Sequence, residues 1–117
     1  AANQDDHSKN WGFLQLDNGS WQLAPFYDVT FSPHPLNEHA TAFGGYGKKP
    51  PLATMKKLAA SAGFASWKEA QQGIKEVVEA ISHFKHLAQQ QGISKTTISQ
   101  IEKTLAQRQQ ENVALLA

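Results

Sequence analysis

The chain has 117 residues, 40% hydrophobic and 18% charged, with a formal net charge of +1 and no cysteine. This is the size and composition of one globular domain, which excludes collagen-like, coiled-coil-only and wholly disordered chains, while the lack of cysteine excludes a disulfide scaffold, a zinc ribbon and a thiol nucleophile. No apolar run approaches the roughly 20 residues of a spanning helix, and no basic segment leading into an apolar stretch opens the chain, so a soluble, cytoplasmic protein is expected.

The charge is unevenly spread. Residues 1–50 hold Lys9, Lys48 and Lys49 against Asp5, Asp6, Asp17, Asp28 and Glu38, whereas residues 51–117 carry an excess of Lys and Arg. All four aspartates fall within residues 1–28, and all five prolines lie between Pro25 and Pro51. In chain order, Trp11-Gly-Phe-Leu-Gln-Leu16 reads as a short strand, and Trp21-Gln-Leu-Ala24 as its partner. Asn18-Gly19 between them predicts a type I′ hairpin turn, because both central residues of that turn need positive φ. Pro25 ends the second strand. Residues 25–51, with their prolines and the Gly44-Gly45-Tyr46-Gly47 cluster, predict a long irregular connection.

From there the period changes. Thr54 is placed to cap a short helix closed by Gly63, and Ser66-Trp-Lys-Glu69 matches a capping box. Trp67, Ala70, Ile74, Val77, Val78, Ile81, Phe84 and Ala88 form the apolar stripe of one long helix ending at Gly92. Gly73, a poor helix former in its middle, predicts a close helix contact. Ser94 can cap a last helix with Ile98, Ile101 and Leu105 on its stripe. The expected architecture is α+β and mainly α: one β-hairpin, a long loop and a bundle of three main helices, divided into a front part, residues 1–53, and a helical scaffold, residues 54–117. The aromatics Trp11, Phe13, Trp21 and Trp67 are expected in the core.

The chemistry concentrates at the front. Asp5 and Asn10 stand immediately before the first strand, and Asp28 follows the second. Such a set suits phosphoryl transfer, in which one carboxylate orients an attacking hydroxyl while an amide oxygen and a second carboxylate hold Mg²⁺ on nucleotide phosphates. Read together, Asn3-Gln4-Asp5-Asp6-His7-Ser8-Lys9-Asn10 resembles the N-x-D-x-H-x-K-N catalytic loop of the HipA-like serine/threonine kinases, the toxins of bacterial toxin-antitoxin pairs. Leu23-Ala24-Pro25-Phe26-Tyr27-Asp28 is similar to their L-[AT]-P-x-Y-D segment, which stands where other kinases carry DFG. His39, the Gly44-Gly45-Tyr46-Gly47-Lys48 turn and Pro51-Leu52-Ala53 resemble the stretch before that family's helical C-lobe, and Phe84 to Ile93 resembles one of its helix ends.

The resemblance implies a protein-kinase-like C-lobe with ATP as co-substrate. It makes Asp5 the catalytic base and Asn10 and Asp28 the Mg²⁺ ligands, with His7 and Lys9 as loop-shaping or phosphate-proximal groups. Asp6 falls at a variable position and receives no role. The implied partners are the kinase N-lobe, a HipB-like antitoxin and a protein Ser/Thr substrate, by analogy an aminoacyl-tRNA synthetase. Nothing before Asp5 can supply the nucleotide-covering lobe, so a C-lobe fragment, inactive alone, is expected.

Three other readings compete. Ala88 to Ile101 has the spacing of a helix-turn-helix module, which would span residues 84–105 with Ser94 to Thr97 opening its reading helix. Only Lys95, Lys103 and Arg108 accompany it, thin support for phosphate neutralisation, so two scaffold helices joined by a glycine turn are the expectation and direct DNA binding is not. A metal cluster of Asp5, Asp6, His7, His34 and His39 lacks chelating spacing, and His34, His39, His83 and His86 are expected as loop or solvated helix residues. The third class is a non-catalytic lobe that binds a partner through an exposed apolar patch.

Overall fold

The computed structural model describes residues 2–117. Strands β1 (Phe13–Gln15) and β2 (Trp21–Leu23) pair antiparallel, with Phe13 opposite Leu23, Leu14 opposite Gln22 and Gln15 opposite Trp21. Their connection differs from the expected type I′ turn. The Gly19 N–H donates to the Leu16 carbonyl at 2.8 Å, the Leu16 N–H donates to the Ser20 carbonyl at 2.9 Å, and only Gly19 takes positive φ. This is a three-residue loop, a β-turn centred on Asp17 and Asn18 followed by a left-handed glycine bulge. Asn18 has no need of positive φ, because its side-chain oxygen accepts the Ser20 N–H at 2.9 Å, the local bond that Asn offers a turn.

The primed turn occurs instead at Gly44-Gly45. Both glycines have positive φ, 56° and 87°, and Phe43 and Tyr46 exchange backbone hydrogen bonds of 2.8 and 3.0 Å. The long connection is thus less irregular than predicted: an isolated parallel bridge joins Asn3 to Ser32, and this tight turn closes its far end.

Helix α1 (Leu52–Ser61) begins three residues earlier than expected, behind Pro51. Proline at the boundary leaves no N–H to satisfy, and Thr54, inside the first turn, is not the cap. At the other end Gly63, φ 86°, closes α1 as predicted, with Gly63 N–H to Ala60 and Phe64 N–H to Ala59 at 3.1 Å each, the paired bonds of a Schellman ending. Helix α2 (Trp67–Ser82) starts at Ser66, whose hydroxyl accepts the Glu69 N–H at 3.2 Å. The Glu69 carboxylate reaches back to the Ala65 N–H at 2.8 Å, one residue earlier than the capping box places it.

The single long helix predicted from Ser66 to Gly92 is broken at His83 into α2 and α3 (Phe84–Gln90). The Ser82 hydroxyl donates to the Glu79 carbonyl at 2.6 Å, and the His83 N–H turns to Ala80 at 3.4 Å, a tighter i−3 bond. Serine bonding back to its own preceding turn bends helices, and the apolar stripe carries no signal of it. Helix α4 (Lys95–Glu111) starts at Ser94, which accepts the Thr97 N–H at 3.1 Å, and a short 3-10 turn, Val113–Leu115, follows it. The molecule is therefore mainly helical with one antiparallel hairpin, in keeping with an α+β class.

Packing is loose. Each helix packs chiefly on its neighbours in sequence, and the radius of gyration of 16.2 Å exceeds the roughly 13 Å of a compact domain this long. Among the described residues the buried apolar side chains are Ala2, Ala59, Ala70, Ala88 and Ile98, and no large side chain is fully buried. The apolar stripe of α2 faces Leu105, Leu115 and Leu116 across an open groove of about 1000 Å³. Gly73 lies on its wall, where an added Cβ would meet nothing within 4 Å, so the predicted close helix contact does not exist. Trp67 lines the same groove, but the front aromatics expected in the core lie outside it: Trp11, Phe13 and Trp21 are 52%, 68% and 66% exposed. Three-residue strands bury too little to close a face over them, because no third layer covers the hairpin. Among the described residues no helix is long and apolar enough to cross a membrane.

Candidate active site

The loop before β1 is held from below. Gln4 is buried; its N–H donates to the Ser32 carbonyl at 3.0 Å and its carbonyl accepts the Ala40 N–H at 3.0 Å. Its side-chain amide donates to Asn37 Oδ1 at 3.0 Å and accepts the His34 N–H at 2.9 Å. With every polar atom paired, burial costs this side chain little, and the loop is anchored to the chain that follows Asp28. A 3-10 turn at Ser8–Asn10 then carries the loop into β1.

This anchoring leaves Asp5 outward, its side chain 66% exposed. His7 Nε2 stands 3.7 Å from Asp5 Oδ1, beyond hydrogen-bonding distance. Asn10 turns its amide nitrogen onto the Asp5 carbonyl at 2.9 Å. That bond fixes the amide and frees its oxygen, an acceptor, for a cation or other donor. The Lys9 side chain is exposed, and the Lys9 carbonyl accepts the Tyr27 hydroxyl at 2.8 Å.

The Tyr27 bond ties the segment after β2 to the loop before β1, and Asp28 follows directly. Its φ of 57° is left-handed, a conformation that Asp tolerates better than most residues but adopts only where its surroundings hold it. Asn10 and Asp28 line one cleft of about 240 Å³, together with Asn3, Asp6, Trp11, Phe26, Tyr27 and Val29. Asp5, His7 and Lys9 are not among its lining residues. The cleft therefore offers a carboxylate and an amide oxygen, hard donors of the kind Mg²⁺ prefers. No group of three or more His, Cys, Asp or Glu able to hold a metal occurs among the described residues; a cation there would take its remaining ligands from phosphate and water.

Asp6, given no role by the sequence reading, is the most heavily bonded of the aspartates. Its Oδ2 lies 2.9 Å from His39 Nδ1, its Oδ1 accepts the Thr41 N–H at 3.1 Å, and its carbonyl accepts the Thr41 hydroxyl. Partial burial disfavours the charged carboxylate, but the Thr41 N–H and His39 together outweigh that and hold its pKa below the usual carboxylate value. The backbone N–H of His39 bonds into the glycine turn, to the Gly47 carbonyl at 2.7 Å, while its ring belongs to Asp6. Gln4, Asp6 and Ser32 are the residues that the sequence reading missed, and no single-chain pattern marks them, because their partners lie some 27 to 35 positions away. His83 and His86 are exposed on the helical side, as expected.

No curated protein and no solved structure matches the chain. A family model described as the HipA-like C-terminal domain matches residues 1–112. That match spans nearly the whole chain, from the loop of Asp5 and Asn10 to the end of α4, and the chain belongs to the HipA-like C-terminal domain family.

Proposed function

We propose that this chain is the C-lobe of a HipA-like serine/threonine kinase, which transfers the γ-phosphoryl group of ATP to a protein hydroxyl. The observation that carries the reading is the shared cleft of Asn10 and Asp28, with the Asn10 amide oriented by the Asp5 carbonyl so that its oxygen is free. Asp5 is the base that accepts the proton of the attacking hydroxyl; its exposure leaves room for a protein substrate to approach. Asn10 and Asp28 hold Mg²⁺, which neutralises phosphate charge when bound. His7 and Lys9 shape the loop or stand near incoming phosphate.

The exposed aromatic face of Trp11, Phe13, Trp21 and Phe26 supports a nucleotide-covering N-lobe as the partner of this hairpin, and apart from that lobe the chain is inactive. A HipB-like antitoxin and a substrate in the translation machinery, such as an aminoacyl-tRNA synthetase, follow from the family alone. The test is ATP-dependent phosphorylation by the complete gene product. Wild type is expected to incorporate phosphate, and Asp5→Asn, Asn10→Ala and Asp28→Ala each to lose at least about a hundredfold in rate, the scale of removing a positioned base or charge clamp. Undiminished transfer in Asp5→Asn overturns the reading.

A further inference from the structure

Asp6 sits beside the proposed base yet takes no part in the chemistry described above. Adjacent in sequence, the two carboxylates face opposite ways, Asp5 66% exposed and Asp6 19%. Residues 4–6 are sewn to residues 39–41 by four bonds: Ala40 N–H to the Gln4 carbonyl at 3.0 Å, Thr41 N–H and the His39 ring to the Asp6 carboxylate at 3.1 and 2.9 Å, and the Thr41 hydroxyl to the Asp6 carbonyl. The path continues outward. His39 meets the Phe43 ring edge-on at 5.3 Å, Phe43 and Tyr46 close the Gly44-Gly45 turn, and a Cβ at Gly44 would lie 2.7 Å from the Thr54 methyl on α1.

We propose that Asp6 and His39 are a positioning pair that fastens the 39–47 turn to the catalytic loop, and thereby holds Asp5 outward and Asn10 on its cleft. The proposal rests on the kinase reading for its effect on rate. An ionised acceptor makes the hydrogen bond from His39 stronger than a neutral one. Asp6 also lines the cleft of Asn10 and Asp28, so the pair joins the 39–47 turn directly to the wall of that cleft. Asp6 needs no contact with substrate: its bonds fix the peptide from which Asp5 projects, and a displacement of about 1 Å at a reacting group can cost about a hundredfold.

The test compares Asp6→Ala, His39→Ala and His39→Asn in the complete gene product, with rates normalised to folded protein. Asparagine places its amide N–H near the position of imidazole Nδ1–H and so restores the bond without the ring. Asp6→Ala and His39→Ala are expected to lower kcat about ten- to a hundredfold with KM for ATP nearly unchanged, and His39→Asn to recover most of it. Wild-type kcat per folded molecule in both alanine variants, alongside loss of transfer in Asp5→Asn, overturns the positioning pair and leaves the kinase reading standing. Should wild type transfer no phosphate, the kinase reading falls by itself. The pair is then judged by amide NMR, where His39→Ala must shift residues 5–10 more than α4, and unmoved amides at 5–10 overturn it.

Discussion

The carboxylate of Asp6 has a consequence for acid stability whose sign follows from its partners. Its pKa in the folded chain is lowered, with burial opposing the shift and the Thr41 N–H and His39 prevailing. Unfolded, it titrates near the ordinary value of about 3.9. A depressed carboxylate contributes stability that is fully present above the unfolded value and is lost as pH falls through the folded one. Glu111 behaves alike, held below its usual value first by the hydrogen bond from Arg108. The front of the chain is therefore expected to loosen below about pH 4. Urea denaturation across pH 2–6 checks this: Asp6→Asn should flatten the acid limb relative to wild type, and an unchanged limb would remove Asp6 as its source. Short motifs single out Asp5, Asn10 and Asp28 in the sequence, and the structure brings Asn10 and Asp28 to one cleft, whereas the value of Asp6 depends on residues 39–41, which no reading of residues 3–10 could supply.

Most helix ends were legible because caps are local chemistry: Ser66, Ser94, Gly63 and Gly92 each do what their neighbours predict, and the exception is Thr54, which Pro51 displaces as the boundary of α1. The turns were less so. Asn-Gly and Gly-Gly are both hairpin signals, and choosing between them required knowing that the Asn18 side chain satisfies the Ser20 N–H without a primed turn. The α2–α3 break hid because apolar periodicity runs through it and only a back-bonding Ser82 marks it. Glycines separate the same way by environment. Gly73 is helical with open space where a Cβ would go, so Gly73→Ala should raise stability by about 0.5–1 kcal/mol through helix propensity. Gly44, left-handed and blocked at 2.7 Å by Thr54, should lose about 1–2 kcal/mol or more as Gly44→Ala. Chemical denaturation of both variants checks the pair, and a destabilising Gly73→Ala would mean that α2 meets a neighbour there after all.

At the scale of the molecule, the sequence foretold apolar residues but not where their cover comes from. Trp67, Ile74 and Ile81 line an open groove, and the hairpin aromatics face outward, because period and composition report that a face is apolar without reporting what lies on it. The three tryptophans turn this into a measurement on the chain by itself. Trp11 and Trp21 are 52% and 66% exposed, while Trp67 is half-buried against the helices. A water-exposed indole emits further to the red and is reached by a soluble quencher. Most of the emission of this chain is therefore expected to be red-shifted and quenched by iodide. Trp11→Phe and Trp21→Phe should each remove part of the quenchable signal, and the double variant should leave the shielded Trp67 emission. On the proposed reading, addition of a nucleotide-covering lobe as a separate polypeptide should blue-shift Trp11 and Trp21 and protect them from iodide, because aromatic side chains dominate the energetics of the interfaces that bury them. Blue-shifted, unquenchable emission from the chain alone would instead mean that its hairpin already has a partner, either its own groove or a second copy. Sedimentation separates those two, since only the second raises the mass.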